Sequence, residues 1–209
     1  MRYSYCKNAL KSYVKNNYKE YLLVCILFLI GIFIGVMIIN NCKDAQLTEI
    51  TSYIKDFITK YKEIENINIW SLIIDSVKKN LLFAIILWLA GTTVIGMLVV
   101  LIMILLRGVI LGFTISSITS TLGFFKGTVF TLTSILLQNL LYIPAILTIG
   151  VSSIKLYKSI IKDKRRENIK IEIIRHTIIS FFMVILIVIS VFVENFISVK
   201  ILKNIIKYF

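Results

Sequence analysis

Residues 81–106 read LLFAIILWLAGTTVIGMLVVLIMILL and contain no charged side chain. A helix of about 20 apolar residues is long enough to cross the hydrocarbon core of a bilayer. Four further apolar stretches occupy residues 21–40, 108–125, 127–154 and 177–199. Continuously apolar runs favour helices over barrel strands, in which apolar and polar residues alternate. The sequence therefore predicts an all-α polytopic membrane protein with five transmembrane helices, folded as a single membrane domain over residues 1–209.

The overall composition agrees with a membrane-embedded chain and excludes two other classes of protein. Of the 209 residues, 58% are hydrophobic and 17% are charged. Disordered chains lack this apolar content, and a soluble enzyme has no need of several membrane-length apolar runs. The net charge is +13, but the basic residues lie between the apolar runs, where they orient the chain and meet anionic lipid. We therefore expect the bilayer, and no nucleic acid, as a partner.

The distribution of basic residues predicts the orientation of the chain. Five of them precede the first apolar run, which we interpret as an uncleaved span because small residues are missing before Cys42. Eight more lie in residues 155–176, a basic cytoplasmic loop, and the positive-inside rule places both groups in the cytoplasm. The two groups of basic residues lie on the same side of the membrane only if residues 108–125 cross it. If residues 108–125 form a re-entrant loop, the two groups lie on opposite sides. The predicted amino terminus is inside and the carboxyl terminus outside.

The external segment, residues 42–79, separates the first two predicted spans and carries balanced charges. Its apolar residues recur at helical spacing and predict an amphipathic helix. These candidates for partner binding are Leu47, Ile50, Ile54, Phe57, Ile58 and Tyr61. One interpretation is that this face lies on lipid or packs on the bundle. The other is that it binds an external partner.

Several polar or helix-disturbing residues lie within or beside the predicted spans, where charge is costly and often functional. They are Asn80, Arg107, Lys126, Gln138, Asn139, Pro144 and Glu194. Glu194 is interpreted either as exposed at the interface or as buried in a pair with Lys126. The adjacent amides of Gln138 and Asn139 indicate either helix packing or a solute site at the membrane midplane. Pro144 predicts a kink in its helix.

Residue patterns typical of catalysis or of metal binding are missing from the sequence. A single histidine, His176, and three cysteines give no ligand set of the usual zinc type. We find no nucleophile elbow, phosphate loop or paired intramembrane carboxylates. The sequence therefore predicts a non-enzymatic protein with no cofactor.

Four motifs in the apolar stretches are distinctive: NLLFAIILWLAGTTVIG at 80–96, RGVILGFT at 107–114, QNLLYIPA at 138–145 and VENFI at 193–197. They resemble motifs of the stage II sporulation protein M family. Their order and spacing agree with that family over nearly the whole chain, as does the five-span layout.

The resemblance implies a role in endospore formation together with two peptidoglycan-degrading partners, sporulation proteins D and P. It implies that the chain is a scaffold that recruits and holds both enzymes at the septum while the mother-cell membrane moves around the forespore. The expected location is the mother-cell septal and engulfing membrane, and a homo-oligomer is compatible with the sequence. The alternative function, from the residues alone, is a transporter or permease-like subunit.

Overall fold

The computed structural model describes residues 14–63, 69–162 and 166–198, and these residues form helices without any strand. The helices are α1 (Tyr18–Asn40), α2 (Asp44–Glu63), α3 (Ile69–Gly91), α4 (Gly96–Leu122), α5 (Phe124–Thr131), α6 (Leu137–Lys162) and α7 (Arg166–Val193). Two π-helical segments accompany them: π1 (Leu132–Leu136) joins α5 to α6, and π2 (Glu194–Ser198) follows α7.

Four helical stretches within the described residues are long and apolar enough to cross a membrane. They are Tyr18–Asn40, Gly96–Leu122, Gln138–Ile161 and Ile169–Phe196. The prediction of an all-helical membrane protein is confirmed to this extent. Helix α3 differs from these four because its first half carries Asp75, Lys78 and Lys79, which leaves residues 80–91 as its uncharged part.

The boundary between the second and third apolar stretches does not lie where the sequence predicted it. We expected one helix over 81–106 and another over 108–125, because Arg107 is the charged residue between them. Helix α4 instead runs without interruption through Arg107, and the chain reverses at residues 92–95. The polypeptide at 108–125 is therefore neither a separate span nor a re-entrant loop, but mostly the second half of α4.

A threonine side chain forms the reversal between α3 and α4. The Thr93 hydroxyl donates a hydrogen bond to the Ala90 carbonyl at 3.0 Å, and its oxygen accepts one from the Gly96 backbone N–H at 2.9 Å. Short hydroxyl side chains compete with the helix ladder in this way and favour helix ends. A Cβ atom on Gly96 would collide with the Ala90 carbonyl, so the turn also requires glycine at this position.

Two other predicted loop regions are largely helical. The basic segment 155–176 consists of the end of α6 and the start of α7, with residues 163–165 outside the described residues. The external segment 42–79 contains α2 and the first half of α3. The stretch predicted as a span at 127–154 belongs to α5, π1 and α6 together, and α6 continues to Lys162.

The core of the bundle lies where α1, α3, α4, α6 and α7 meet. Its fully buried members come from all five helices: Val24, Leu87, Val100, Ile104, Tyr142, Ile146, Ile149 and Ile187. Large apolar side chains also cover the outside, for example Leu29 and Phe33 on α1. An apolar exterior on this scale is typical of a surface that faces lipid.

The contact between α1 and α4 is built on two glycine pairs. Gly31 and Gly35 on α1 face Gly108 and Gly112 on α4, so that backbone touches backbone. A Cβ atom on Gly31 would collide with the Leu105 carbonyl oxygen, and one on Gly108 with the Phe28 carbonyl oxygen. Small residues at this spacing let membrane helices approach closely. Two glycines four residues apart often occur by chance, but in this protein they form the contact between α1 and α4.

Candidate functional site

Arg107, in the middle of α4, lies among polar and aromatic side chains of the neighbouring helical segments. Its guanidinium carbon lies 4.4 Å from the centroid of the Tyr142 ring on α6. This distance is typical of a cation–π interaction, which is stronger where water is excluded. The Tyr142 side chain is fully buried, and its hydroxyl has no hydrogen-bond partner.

A cavity of about 120 Å³ lies beside Arg107, between α4 and α6. Its polar lining comes from Arg107, Thr114, Gln138 and Asn139, and its apolar lining from Ile110, Leu111 and Ile135. Gln138 and Asn139 are only 9% and 7% exposed. The Asn139 side-chain nitrogen donates to the Ile135 carbonyl at 2.8 Å. The structure thus brings three of the predicted polar residues to one cavity.

Both π-helical segments lie at this polar region. The segment π1 ends at Leu136, two residues before Gln138, and π2 begins at Glu194. The two segments contact each other. Single π-helical turns inside α-helices are rare and occur frequently at functional sites. Each π-helical turn inserts an extra residue into its helix and so rotates the following side chains about the helix axis. The regular helical repeat of the sequence does not predict this rotation.

The predicted pair between Glu194 and Lys126 is replaced by a different arrangement. Lys126 is exposed on α5, whereas Glu194 is partly buried at the start of π2. The cation that acts electrostatically on the Glu194 carboxyl group is Arg107. One carboxyl oxygen, Oε2, is buried without a hydrogen-bond partner. The sequence could not choose between these cations because the break expected at Arg107 placed that residue outside the spans.

The remaining predicted polar residues do not line the cavity. Asn80 donates a hydrogen bond from its side chain to the Ser76 carbonyl of its own helix at 2.9 Å. Helix α6 continues through Pro144, whose carbonyl accepts from the Thr148 hydroxyl at 2.7 Å. Tyr142, which our sequence analysis did not single out, follows Gln138 by four residues, and this spacing places two side chains on one helix face.

A second buried polar group ties α3, α6 and α7 together around His176. This side chain is 1% exposed. Its Nδ1 lies 3.0 Å from the Ser152 hydroxyl, and its Nε2 lies 3.3 Å from the Trp88 carbonyl oxygen. A carbonyl only accepts, so Nε2 carries a proton, and in the neutral imidazole the Ser152 hydroxyl donates to Nδ1. The Trp88 indole N–H in turn lies 3.3 Å from the Thr177 hydroxyl oxygen. These contacts give His176 a structural role.

The amphipathic helix α2 turns part of its apolar face toward the bundle. Ile54 packs against the buried side chains of Ile118 and Phe130. An apolar cleft of about 530 Å³ separates α2 from α4 and α5 here, with Ile50 in its lining. Tyr53, beside it, is 74% exposed. Leu47 is half-buried, and the side chains of the other three partner-binding candidates, Phe57, Ile58 and Tyr61, lie outside the described residues.

Comparison with known proteins agrees with the motifs read in the sequence. The sequence model of the family described as stage II sporulation protein M matches residues 24–199. This match includes all four motifs, the polar cavity and the glycine-packed helix pair. No curated protein and no solved structure matches the chain. Within residues 14–63, 69–162 and 166–198, His, Cys, Asp and Glu side chains form no group of three that could hold a metal ion. The chain belongs to the stage II sporulation protein M family and is a sporulation-related membrane protein.

Proposed function

We propose that this protein is a non-enzymatic membrane scaffold of endospore engulfment. It recruits sporulation proteins D and P to the septum and holds them there, in the mother-cell septal and engulfing membrane. The observation that carries the proposal is the family match over residues 24–199. A scaffold needs a stable membrane bundle and a surface outside the bilayer, and α2 is the natural candidate for that surface.

The scaffold proposal includes a topology of five crossings, with the amino terminus inside and the carboxyl terminus outside. The fifth crossing, beyond the four apolar stretches, is α3, which packs against α4, α6 and α7. Charged side chains of a membrane helix are tolerated where they reach the interface. Those of α3 all lie in its first half, so the proposal places its second half in the hydrocarbon. With α3 crossing, α2 lies on the external side and is accessible to wall hydrolases.

Cysteine labelling is expected to place Cys6 in the cytoplasm and Cys42 outside. Cys25 lies within α1, so a Cys25→Ser background leaves two reporters on opposite sides of the first span. A membrane-impermeant maleimide added to intact cells should label Cys42, and Cys6 only after the membrane is opened. Labelling of both from the same side would contradict the topology.

Polar replacement of Phe57 and Ile58 together is expected to reduce the recruitment of the hydrolases and to slow engulfment. The helical repeat of the sequence predicts both residues on the apolar face of α2, and such a face is what a partner groove binds. Fluorescent fusions of proteins D and P, imaged in sporulating cells, measure recruitment at the septum. Normal recruitment and engulfment by a variant that is still expressed and inserted would remove this segment from the mechanism.

The single variant Ile54→Ser is the matched control for this experiment. Ile54 packs against Ile118 and Phe130, so its replacement disturbs the docking of α2 on the bundle. A loss of recruitment seen only with Ile54→Ser would indicate that the position of α2 matters, and not a contact at Phe57 and Ile58.

Transport remains the alternative function, based on Gln138, Asn139 and Pro144.

A further inference from the structure

The guanidinium group of Arg107 lies in the middle of an apolar helix without a hydrogen-bond acceptor among the described residues. Its partners there are the ring of Tyr142 and the charge of Glu194. Arginine carries five N–H donors in a fixed planar arrangement. A charged side chain within a membrane span is costly unless it pairs or reaches water. The bundle thus holds a cation whose donors need an acceptor.

The side chain of Gln138 adds a second donor to the same cavity. The residue is 9% exposed, and its side-chain amide has no hydrogen-bond partner among the described residues. A polar group with little access to water is destabilising unless it finds a hydrogen-bond partner. Because Gln138 lines the cavity together with Arg107, one bound acceptor satisfies both side chains.

The carboxyl group of Glu194 is not a hydrogen-bond acceptor for Arg107. It acts on Arg107 through its charge, but the two side chains form no ion pair in the structure, where the ion pairs between described residues are Lys158 with Glu20 and Arg175 with Glu172. Its Oε2 atom is itself without a hydrogen-bond partner. Because Arg107 also lines the cavity, its N–H donors are available to an acceptor bound there.

We propose that this cavity binds a phosphate-type oxyanion, with Arg107 as its cation and the Gln138 amide as a further donor. Arginine binds phosphate oxygens through paired N–H groups, and such charge-assisted bonds are the strong ones. The cavity volume of about 120 Å³ is several times the roughly 10–15 Å³ that holds one water, which leaves room for a tetrahedral group. Ile110 at its edge is 56% exposed, so the cavity opens toward the outside of the bundle.

The proposed oxyanion site does not depend on the scaffold function proposed above.

Binding is measured on the full-length protein purified in dodecyl maltoside, a neutral detergent. Inorganic phosphate and dodecyl phosphate are titrated separately, and tryptophan fluorescence and the midpoint of thermal unfolding report binding. Dodecyl maltoside supplies the same apolar chain without a phosphate. Arg107→Gln should weaken binding by about tenfold or more, since hydrogen bonds to charged groups contribute about 1.5–3 kcal/mol. Lys170→Gln removes an equal charge from an exposed residue of α7 and should leave the affinity unchanged.

The two ligands distinguish the two sources of the oxyanion. Arg107-dependent binding of inorganic phosphate supports a soluble ligand, and Arg107-dependent binding of dodecyl phosphate alone supports a lipid headgroup. The proposal is overturned if neither ligand binds the natural protein, or if Arg107→Gln binds as tightly. If Arg107→Gln does not fold, Gln138→Leu decides: a several-fold loss of affinity supports the site, and an unchanged affinity overturns it.

Discussion

Gly108→Ala is expected to destabilise the protein, although alanine is the better helix former. Removing glycine from a helix interior stabilises it by about 1 kcal/mol. At Gly108 the added Cβ atom would collide with the Phe28 carbonyl oxygen of α1, and a backbone atom cannot rotate away. Overpacking typically costs about 1–3 kcal/mol, so we expect a net loss of stability and a looser α1–α4 pair. Thermal unfolding of the purified protein in detergent measures the change.

The matched control is Gly150→Ala on α6, which makes the same chemical change in another buried helix interior. The atom nearest to its Cβ would be Cδ1 of Ile104, the far end of a flexible side chain. Rotation of Ile104 relieves that contact, so stability should be unchanged or slightly higher. Equal effects of the two substitutions would show that backbone contact between α1 and α4 is not what holds the pair together.

His176→Ala is expected to release α3 from α6 and α7. The substitution leaves the Ser152 hydroxyl and the Trp88 carbonyl without their partner, and it opens a cavity where the imidazole ring was. Each unsatisfied buried group costs about 1–3 kcal/mol, so the free energy of unfolding should fall by about 3 kcal/mol. Trp88 reports the loss through its fluorescence, which is read in a Trp70→Phe background because Trp70 is the only other tryptophan.

Thr177→Val is the control for this second prediction. It removes only the hydroxyl that lies 3.3 Å from the Trp88 indole nitrogen, at a cost of about 1 kcal/mol. It should therefore change Trp88 fluorescence with little loss of stability. A His176→Ala protein that unfolds like the natural one, with unchanged Trp88 fluorescence, would contradict the proposed link between α3 and its neighbours.

The candidate site shows how far sequence patterns reach. Gln138, Asn139 and Glu194 were identified because polar side chains stand out in apolar runs, and Arg107 because it interrupts one. Their arrangement was not predicted. Burying a charge is costly, so a charged residue between two apolar stretches is expected in a loop when no compensating contact is known. Within α4 that charge lies against the Tyr142 ring and acts electrostatically on the Glu194 carboxyl group, and both of these residues are distant from Arg107 in sequence.

The apolar run lengths determined by themselves that the chain is helical and membrane-embedded, because hydrocarbon leaves the backbone few ways to satisfy its hydrogen bonds. The helical repeat likewise determined that α2 is amphipathic. Only the tertiary structure decided that Gly31 and Gly35 face Gly108 and Gly112, and that Arg107 lies beside the cavity formed with α6. Such contacts depend on how the helices are rotated about their axes, and that rotation is set by the packing of all the helices together.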